Sequence, residues 1–209
     1  MSLNIEVISD VICPWCYIGK RRLERAIATY GKPINVRWLP FQLNPTMPKE
    51  GISRREYRIQ KFGSWERSQE LDARVIEVGK EEGIAFAFDQ IERTPNTVDA
   101  HRLIWLAEKE GVQDLVVERL FSAYFVEGRD ICALQTLLEV VVMAGLDRGK
   151  AETLLHGDDG IEALKEAADL SRMYQVNGVP FFIVNQKVTL AGAQYPETFL
   201  AAFEQAEES

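Results

Sequence analysis

The chain has 209 residues, 46% of them hydrophobic, with 24 basic and 32 acidic side chains and a formal net charge of −8. That size and apolar content support a buried core without structural metal or disulfides, and the acidic balance argues against nucleic acid or an anionic membrane surface as a partner. With only Cys13, Cys16 and Cys132 as cysteines and His101 and His156 as histidines, the chain is no disulfide scaffold and has few ligands for a metal site.

Leu3 to Ile8 alternates apolar and polar residues and reads as a strand. Cys13-Pro14-Trp15-Cys16 follows, and from Tyr17 to Tyr30 the apolar residues Tyr17, Leu23, Ile27 and Tyr30 take helical spacing, ended by Gly31 and Pro33. Ile34 to Phe41 reads as a second strand, so the first unit is βαβ with a parallel crossover. Gln42 to Gly51, with Pro45 and Pro48, reads as loop. Ser53 and Glu56 have capping-box spacing, and helical texture runs from there to about Glu82, with a break at Gly63-Ser64. An irregular link through Ile84, Phe86 and Phe88 reaches Pro95. Further helices fit the stretches 96–110, 112–127, 131–144, 148–155 and 159–174, punctuated by glycines. After Gly178 the texture returns to strand, at Val179 to Val184 and Lys187 to Leu190, with a turn at Asn185-Gln186 and a closing helix from Pro196. No apolar run approaches the roughly 20 residues that span a bilayer. No secretory signal is read at the start, so a cytoplasmic protein is expected.

Two cysteines three apart at a helix start share one side of one turn, within reach of a disulfide. Cys13 is expected as the outer, attacking thiol, where unpaired N–H groups and the helix dipole favour a thiolate. Cys16, one turn inside, is expected to resolve the mixed disulfide. Pro14 suits an early helical position, and Trp15 offers an apolar docking wall beside the sulfur. Two buried structural thiols, or half of a metal site, are the alternatives. Val179-Pro180 sits where a strand begins, and proline cannot donate a ladder bond there, so a special geometry such as a cis bond is expected.

Ser9-Asp10 with CPWCYIG (13–19), FQLNP (41–45), PNT with AHRL (95–103), LFSAYFVEGRDI (120–131), GVPFFIV (178–184) and AGAQ (191–194) carry a resemblance across nearly the whole chain. The sequence resembles the DsbA-like thioredoxin superfamily and, within it, the cytoplasmic FrnE-like branch. The resemblance implies an α/β thioredoxin-like fold with a large all-helical insertion, formed by residues 1–50 and 158–209 with the insertion at 51–157. It implies Cys13 as nucleophile, Cys16 as resolving thiol and Pro180 as a cis-proline facing them. Val179 would offer its backbone to an extended peptide or a glutathione-like substrate. The activity implied is thiol–disulfide exchange with protein, peptide or small thiols and disulfides, isomerisation included. No tightly bound cofactor and no metal is implied beyond the Cys13–Cys16 disulfide, with glutathione as a candidate co-substrate.

Kappa-class glutathione transferases and 2-hydroxychromene-2-carboxylate isomerases share the fold but carry serine where Cys13 stands. Some FrnE-like members have a second cysteine pair near the C-terminus, and here the last cysteine is Cys132. The dipeptide Pro14-Trp15 lacks the histidine common in DsbA-type oxidants, so a less oxidising couple is expected, resting as the dithiol in a reducing cytosol. A glutathione-dependent reductase or transferase, and a binding or chaperone-like module, are the alternative readings. Either a monomer or a homodimer is compatible.

Beyond these, His101 is a candidate to face the cleft and tune Cys13 or bind a carboxylate, and Asn44 and Asn96 are candidates to line the same cleft. Asp10 either orients the Cys13 loop or is a turn carboxylate. Arg54, Arg55 and Arg58 read as a solvated helix face that can also draw an anionic substrate. Cys132 is expected as a buried thiol in an apolar helix. Trp15, Phe41, Tyr124, Phe125 and Phe181 are expected to divide between pocket wall and core.

Overall fold

The computed structural model describes residues 2–208. Strand β1 (Leu3–Ser9) leads into α1 (Pro14–Tyr30), which returns to β2 (Ile34–Pro40). Pro14 occupies the first turn of α1, where its missing N–H costs nothing, and Gly31 ends the helix at φ 69° with its N–H on the Ile27 carbonyl. β1 and β2 pair in parallel from Leu3 with Ile34 to Ser9 with Pro40, as the βαβ reading requires.

The chain then leaves the sheet for a helical block and comes back after α8. The block holds β3 (Ile52–Ser53), α2 (Arg54–Phe62), α3 (Trp65–Glu81), β4 (Arg93–Thr94), α4 (Val98–Lys109), α5 (Gln113–Phe125), α6 (Leu134–Met143) and α7 (Arg148–His156), and α8 (Ile161–Met173) follows it. β5 (Phe181–Val184), β6 (Val188–Ala191) and α9 (Pro196–Glu208) complete the fold. The main sheet has the order β2-β1-β5-β6, with β5 antiparallel to both its neighbours. Asn185 and Gln186 both take positive φ, at 49° and 58°, and Lys187 N–H returns to the Val184 carbonyl, which is the turn that matches the twist of a two-residue hairpin.

Alternation along β1 sorts the core. Ile5 and Val7, with Phe182 and Val184 of β5, face a large cluster that runs through α1, α4, α5, α6 and α9 without interruption. Ile8 and Ile183 face the other side, against Leu170 and Tyr174. Tyr17 of α1 stacks on Phe121 of α5 with centroids 5.0 Å apart, so the helix carrying the cysteines also carries part of the seam between sheet and helical block.

Three expectations are corrected. Cys132 lies ahead of α6 and is half-buried, because Asp130 accepts the Cys132 N–H at 2.9 Å and holds that stretch in a turn. The β5 ladder begins at Phe181, after the proline that cannot donate to it. The two-residue strands β3 and β4, antiparallel at Ile52–Thr94 and Ser53–Arg93, fall where a helix start was read at Ser53 and where the link to Pro95 was read, since two residues leave no periodicity. The helix break at Gly63-Ser64 is where the sequence placed it, with Ser64 accepting the Arg67 N–H at the start of α3.

Gly19 sits in the middle of α1 because a side chain there has no room. A Cβ at Gly19 would lie 3.0 Å from Pro180 Cγ and 3.2 Å from Phe182 Cζ. Gly19→Val is therefore expected to lower stability by about 1–3 kcal/mol through overpacking, despite replacing a poor helix former. Urea denaturation of the variant measures this, and an unchanged midpoint would mean that α1 and β5 slide apart at no cost.

Candidate active site

Cys13 is the N-cap residue of α1, with φ −93° and ψ 111°. Its N–H donates to the Asp10 carbonyl at 3.0 Å, and its own carbonyl accepts the Cys16 N–H at 3.0 Å, so both cysteines are fixed by one tight turn. Both are free thiols, and both are enclosed, Cys13 at 5% exposure and Cys16 at 0%. Cys13, expected as the outer thiol, is itself nearly enclosed. The cause is the segment facing it: the Cys13 thiol donates to the Val179 carbonyl at 3.4 Å, and the Val179-Pro180 peptide bond is cis. Pro180 is buried and Val179 half-buried.

Burial pushes the Cys16 thiol well above its ordinary pKa, and the neighbouring Cys13, by hydrogen bond and by charge, pushes it further. The Ser9 side chain and the Asp10 backbone oppose this.

Asp10 is fully buried three residues before Cys13. Its Oδ2 accepts the Leu43 N–H at 2.8 Å, and its Oδ1 lies 3.3 Å from His101 Nε2. One carboxylate thus ties the loop after β2 and helix α4 to the turn that carries Cys13. His101 is 2% exposed, so the carboxylate it meets is the chain's own, and its Nδ1 has no hydrogen-bond partner. Asn96 is likewise committed: Nδ2 donates to the Met47 carbonyl at 2.7 Å and Oδ1 accepts the Val98 N–H at 3.0 Å. Its backbone N–H reaches Cys132 Sγ at 3.3 Å. Asn44 accepts from the Tyr57 hydroxyl at 3.0 Å, while its Nδ2 is buried without a partner.

Pro14 and Trp15 line one end of a cavity of about 350 Å³ that extends under α2 and α3. Trp15 is 39% exposed, whereas Tyr124 and Phe125 are buried at its inner wall. Arg54 and Arg58 also line this cavity and are largely buried, contrary to the reading of a solvated face, because both donate to Asp72 of α3. Gly19 and Ser9 escaped the sequence reading. A glycine inside an otherwise well-formed helix, which costs about 1 kcal/mol against alanine, is the signal that marks a close approach. Among the described residues no three histidine, cysteine, aspartate or glutamate side chains form a metal-holding group, and no helix is long and apolar enough to cross a membrane.

A raised pKa leaves less Cys16 thiolate at any given pH. In the reduced, native protein at pH 8, iodoacetamide should label Cys13 ahead of Cys16, with Cys16 reacting only on denaturation. Peptide mapping by mass spectrometry reads the order, and equal labelling of the two would contradict the enclosed, protonated Cys16 described above.

The model of the DSBA-like thioredoxin domain family matches residues 4–204. The uncharacterized protein YwbO of Bacillus subtilis is 28% identical over 203 residues, covering 95% of this chain and 94% of that one. The crystal structure of a probable DsbA oxidoreductase from Streptomyces coelicolor superposes with a TM-score of 0.92 at 28% identity, covering 99% of this chain and 91% of that one. The cytosolic disulfide reductase DsbM of Pseudomonas aeruginosa, solved with GSH, shares the fold at 19% identity and a TM-score of 0.69, covering 99% of this chain and 100% of that one. The chain belongs to the DsbA-like thioredoxin family.

Proposed function

We propose that the chain is a thiol–disulfide oxidoreductase that works through the Cys13–Cys16 dithiol on thiol and disulfide substrates. The observation that carries this reading is the juxtaposition of the two thiols at the start of α1 with the Val179 carbonyl that receives the Cys13 S–H. Membership of the DsbA-like family and the likeness to an oxidoreductase structure at 28% identity support the general class.

In the reducing direction the Cys13 thiolate attacks one sulfur of a substrate disulfide. A Cys13–substrate disulfide forms, and the other substrate sulfur leaves as a thiolate that takes up a proton. Cys16 then gives up its proton and attacks Cys13 Sγ. The second substrate thiol is released, and Cys13–Cys16 becomes a disulfide. Two electrons pass to the substrate, and the oxidising direction is the reverse.

The enclosure of Cys16 suits the second step. A buried, protonated resolving thiol does not compete with Cys13 for the incoming disulfide, and it acts only once a mixed disulfide stands beside it. Val179 and Pro180 would receive the substrate next to the sulfur, displacing the hydrogen bond that Cys13 now makes. His101 and Asp10 act in this reading as positioning residues, since their mutual contact fixes the Cys13 turn from beneath. Glutathione is the small thiol proposed to close the cycle by reducing Cys13–Cys16 in two steps, through a Cys13–glutathione disulfide and release of oxidised glutathione. The fold shared with the GSH-bound Pseudomonas aeruginosa reductase is compatible with that role. Residues 1–50 and 158–209 would form the exchange half and 51–157 the insertion that roofs it, and a cytoplasmic setting suits a reductase.

The test is a substitution pair. Cys13→Ser should abolish reduction of an insulin-like disulfide, and Cys16→Ser should accumulate mixed disulfides with its substrates through Cys13. Mass spectrometry of the trapped adducts reads the second result. Wild-type turnover in either variant sinks the reading.

A further inference from the structure

The cavity beside Trp15 has a polarity that the exchange reaction does not explain. Asp72 is the one carboxylate among its lining residues, set against Arg54, Arg58, Lys61 and Arg74. Both oxygens of Asp72 are already used, Oδ2 by Arg54 Nη2 at 2.7 Å and Oδ1 by Arg58 Nη2 at 2.6 Å. Arg54 is 7% exposed in its side chain, yet its Nε–H has no partner. The Thr94 hydroxyl is buried on the same wall, against that of Tyr124. Buried donors are costly to leave unmade, and one on a charged group more so. Burial and the neighbouring Arg54 also hold the Arg58 guanidinium below its ordinary pKa in spite of Asp72, as expected where positive charge is under-neutralised.

The rest of the wall is apolar and largely aromatic. Arg54 lies over the Phe88 ring at 5.1 Å and Arg58 over the Phe62 ring at 4.3 Å, with Trp15 at the opening and Phe125 behind. A volume of about 350 Å³ suits a small molecule and excludes a folded partner. An acceptor with two oxygens in one plane satisfies a guanidinium N–H and a hydroxyl together, whereas a neutral amide offers one oxygen and no charge.

We propose that this cavity is a subsite for the carboxylate end of a small, flat, apolar acid, bound through Arg54 and Thr94 with its body along the aromatic wall toward Trp15. The proposal rests on the exchange reading for its biological sense: the acid would be a thiol or disulfide presented beside Cys13.

Calorimetry separates the two claims. The probes are 4-(methylthio)benzoate and 4-(methylthio)benzamide, thioethers that cannot exchange, titrated into the reduced full-length protein. The benzoate should bind at least about tenfold more tightly than the amide, the size of one hydrogen bond to a charged group. Arg54→Lys keeps the charge opposite Asp72 but lacks the Nε–H. Thr94→Val removes only the hydroxyl and keeps the shape of the side chain. Each should cut the preference to less than about threefold. Equal affinity for acid and amide in the wild type, or an unchanged preference in Thr94→Val, overturns the subsite. So does an acidic peptide that binds at this wall while the benzoate does not. In parallel, 4,4′-dithiodibenzoate should be reduced faster than its diamide. Carboxylate-selective binding without reduction of either disulfide would leave the subsite standing and remove the exchange reading. Equal reduction of both without selective binding would do the opposite.

Discussion

The approach of α1 to β5 at Gly19 is the contact on which the candidate site depends. With no Cβ at that position, the helix lies directly on Pro180 and Phe182. Cys13, at the head of the same helix, then meets the Val179 carbonyl one residue before the proline. Neither sulfur is held by a long flexible side chain. Their positions follow from the helix start, and the helix start follows from how closely α1 can pack on the sheet. The position of Cys13 is thus set by backbone packing, with Pro14 and the Asp10 carbonyl shaping the turn and no side-chain cap made by Cys13.

Other residues of α1 are fastened by charge. Lys20 is buried among Glu24, Asp114 and Glu118, and although burial lowers its pKa, those carboxylates outweigh the penalty and raise it. Arg22 pairs with Glu82 at the end of α3, at 2.7 Å, with both side chains almost fully enclosed. Buried pairs of this kind add little net stability but are costly to break singly, so they act as locks on orientation. Together with the Tyr17–Phe121 stack they couple the cysteine helix to the helical block, while Gly19 lets it rest on the sheet.

Much of this was legible in the residues. Glycine and proline punctuation placed the helix breaks to within a few residues, and the strand-like texture flanking the CPWC stretch gave the parallel β1–β2 pair. What failed was local texture overruled from outside. Cys132 reads as helical until Asp130 captures its backbone N–H. Arg54 and Arg58 read as solvated until α3 brings Asp72 against them. Of the residues expected to line the cleft, Asn96 is consumed by the Met47 loop and His101 by Asp10, because in each case a polar group some 50 to 90 positions away in sequence is the nearest partner. No window of sequence carries that information. The unpartnered Arg54 Nε–H at the Trp15 cavity belongs to the same class, since an orphaned atom is defined only by everything that surrounds it.

Cys13 and Cys16 are proposed to form a reversible couple in the intact fold. Equilibrating the protein in glutathione redox buffers and mapping the products by mass spectrometry tests it directly. The account predicts a single two-electron transition, an intramolecular Cys13–Cys16 disulfide with Cys132 left as a thiol, and a potential well below the about −120 mV of the strongest oxidants of this kind. Failure of Cys13 and Cys16 to join under any buffer, or a disulfide that engages Cys132 instead, would contradict it.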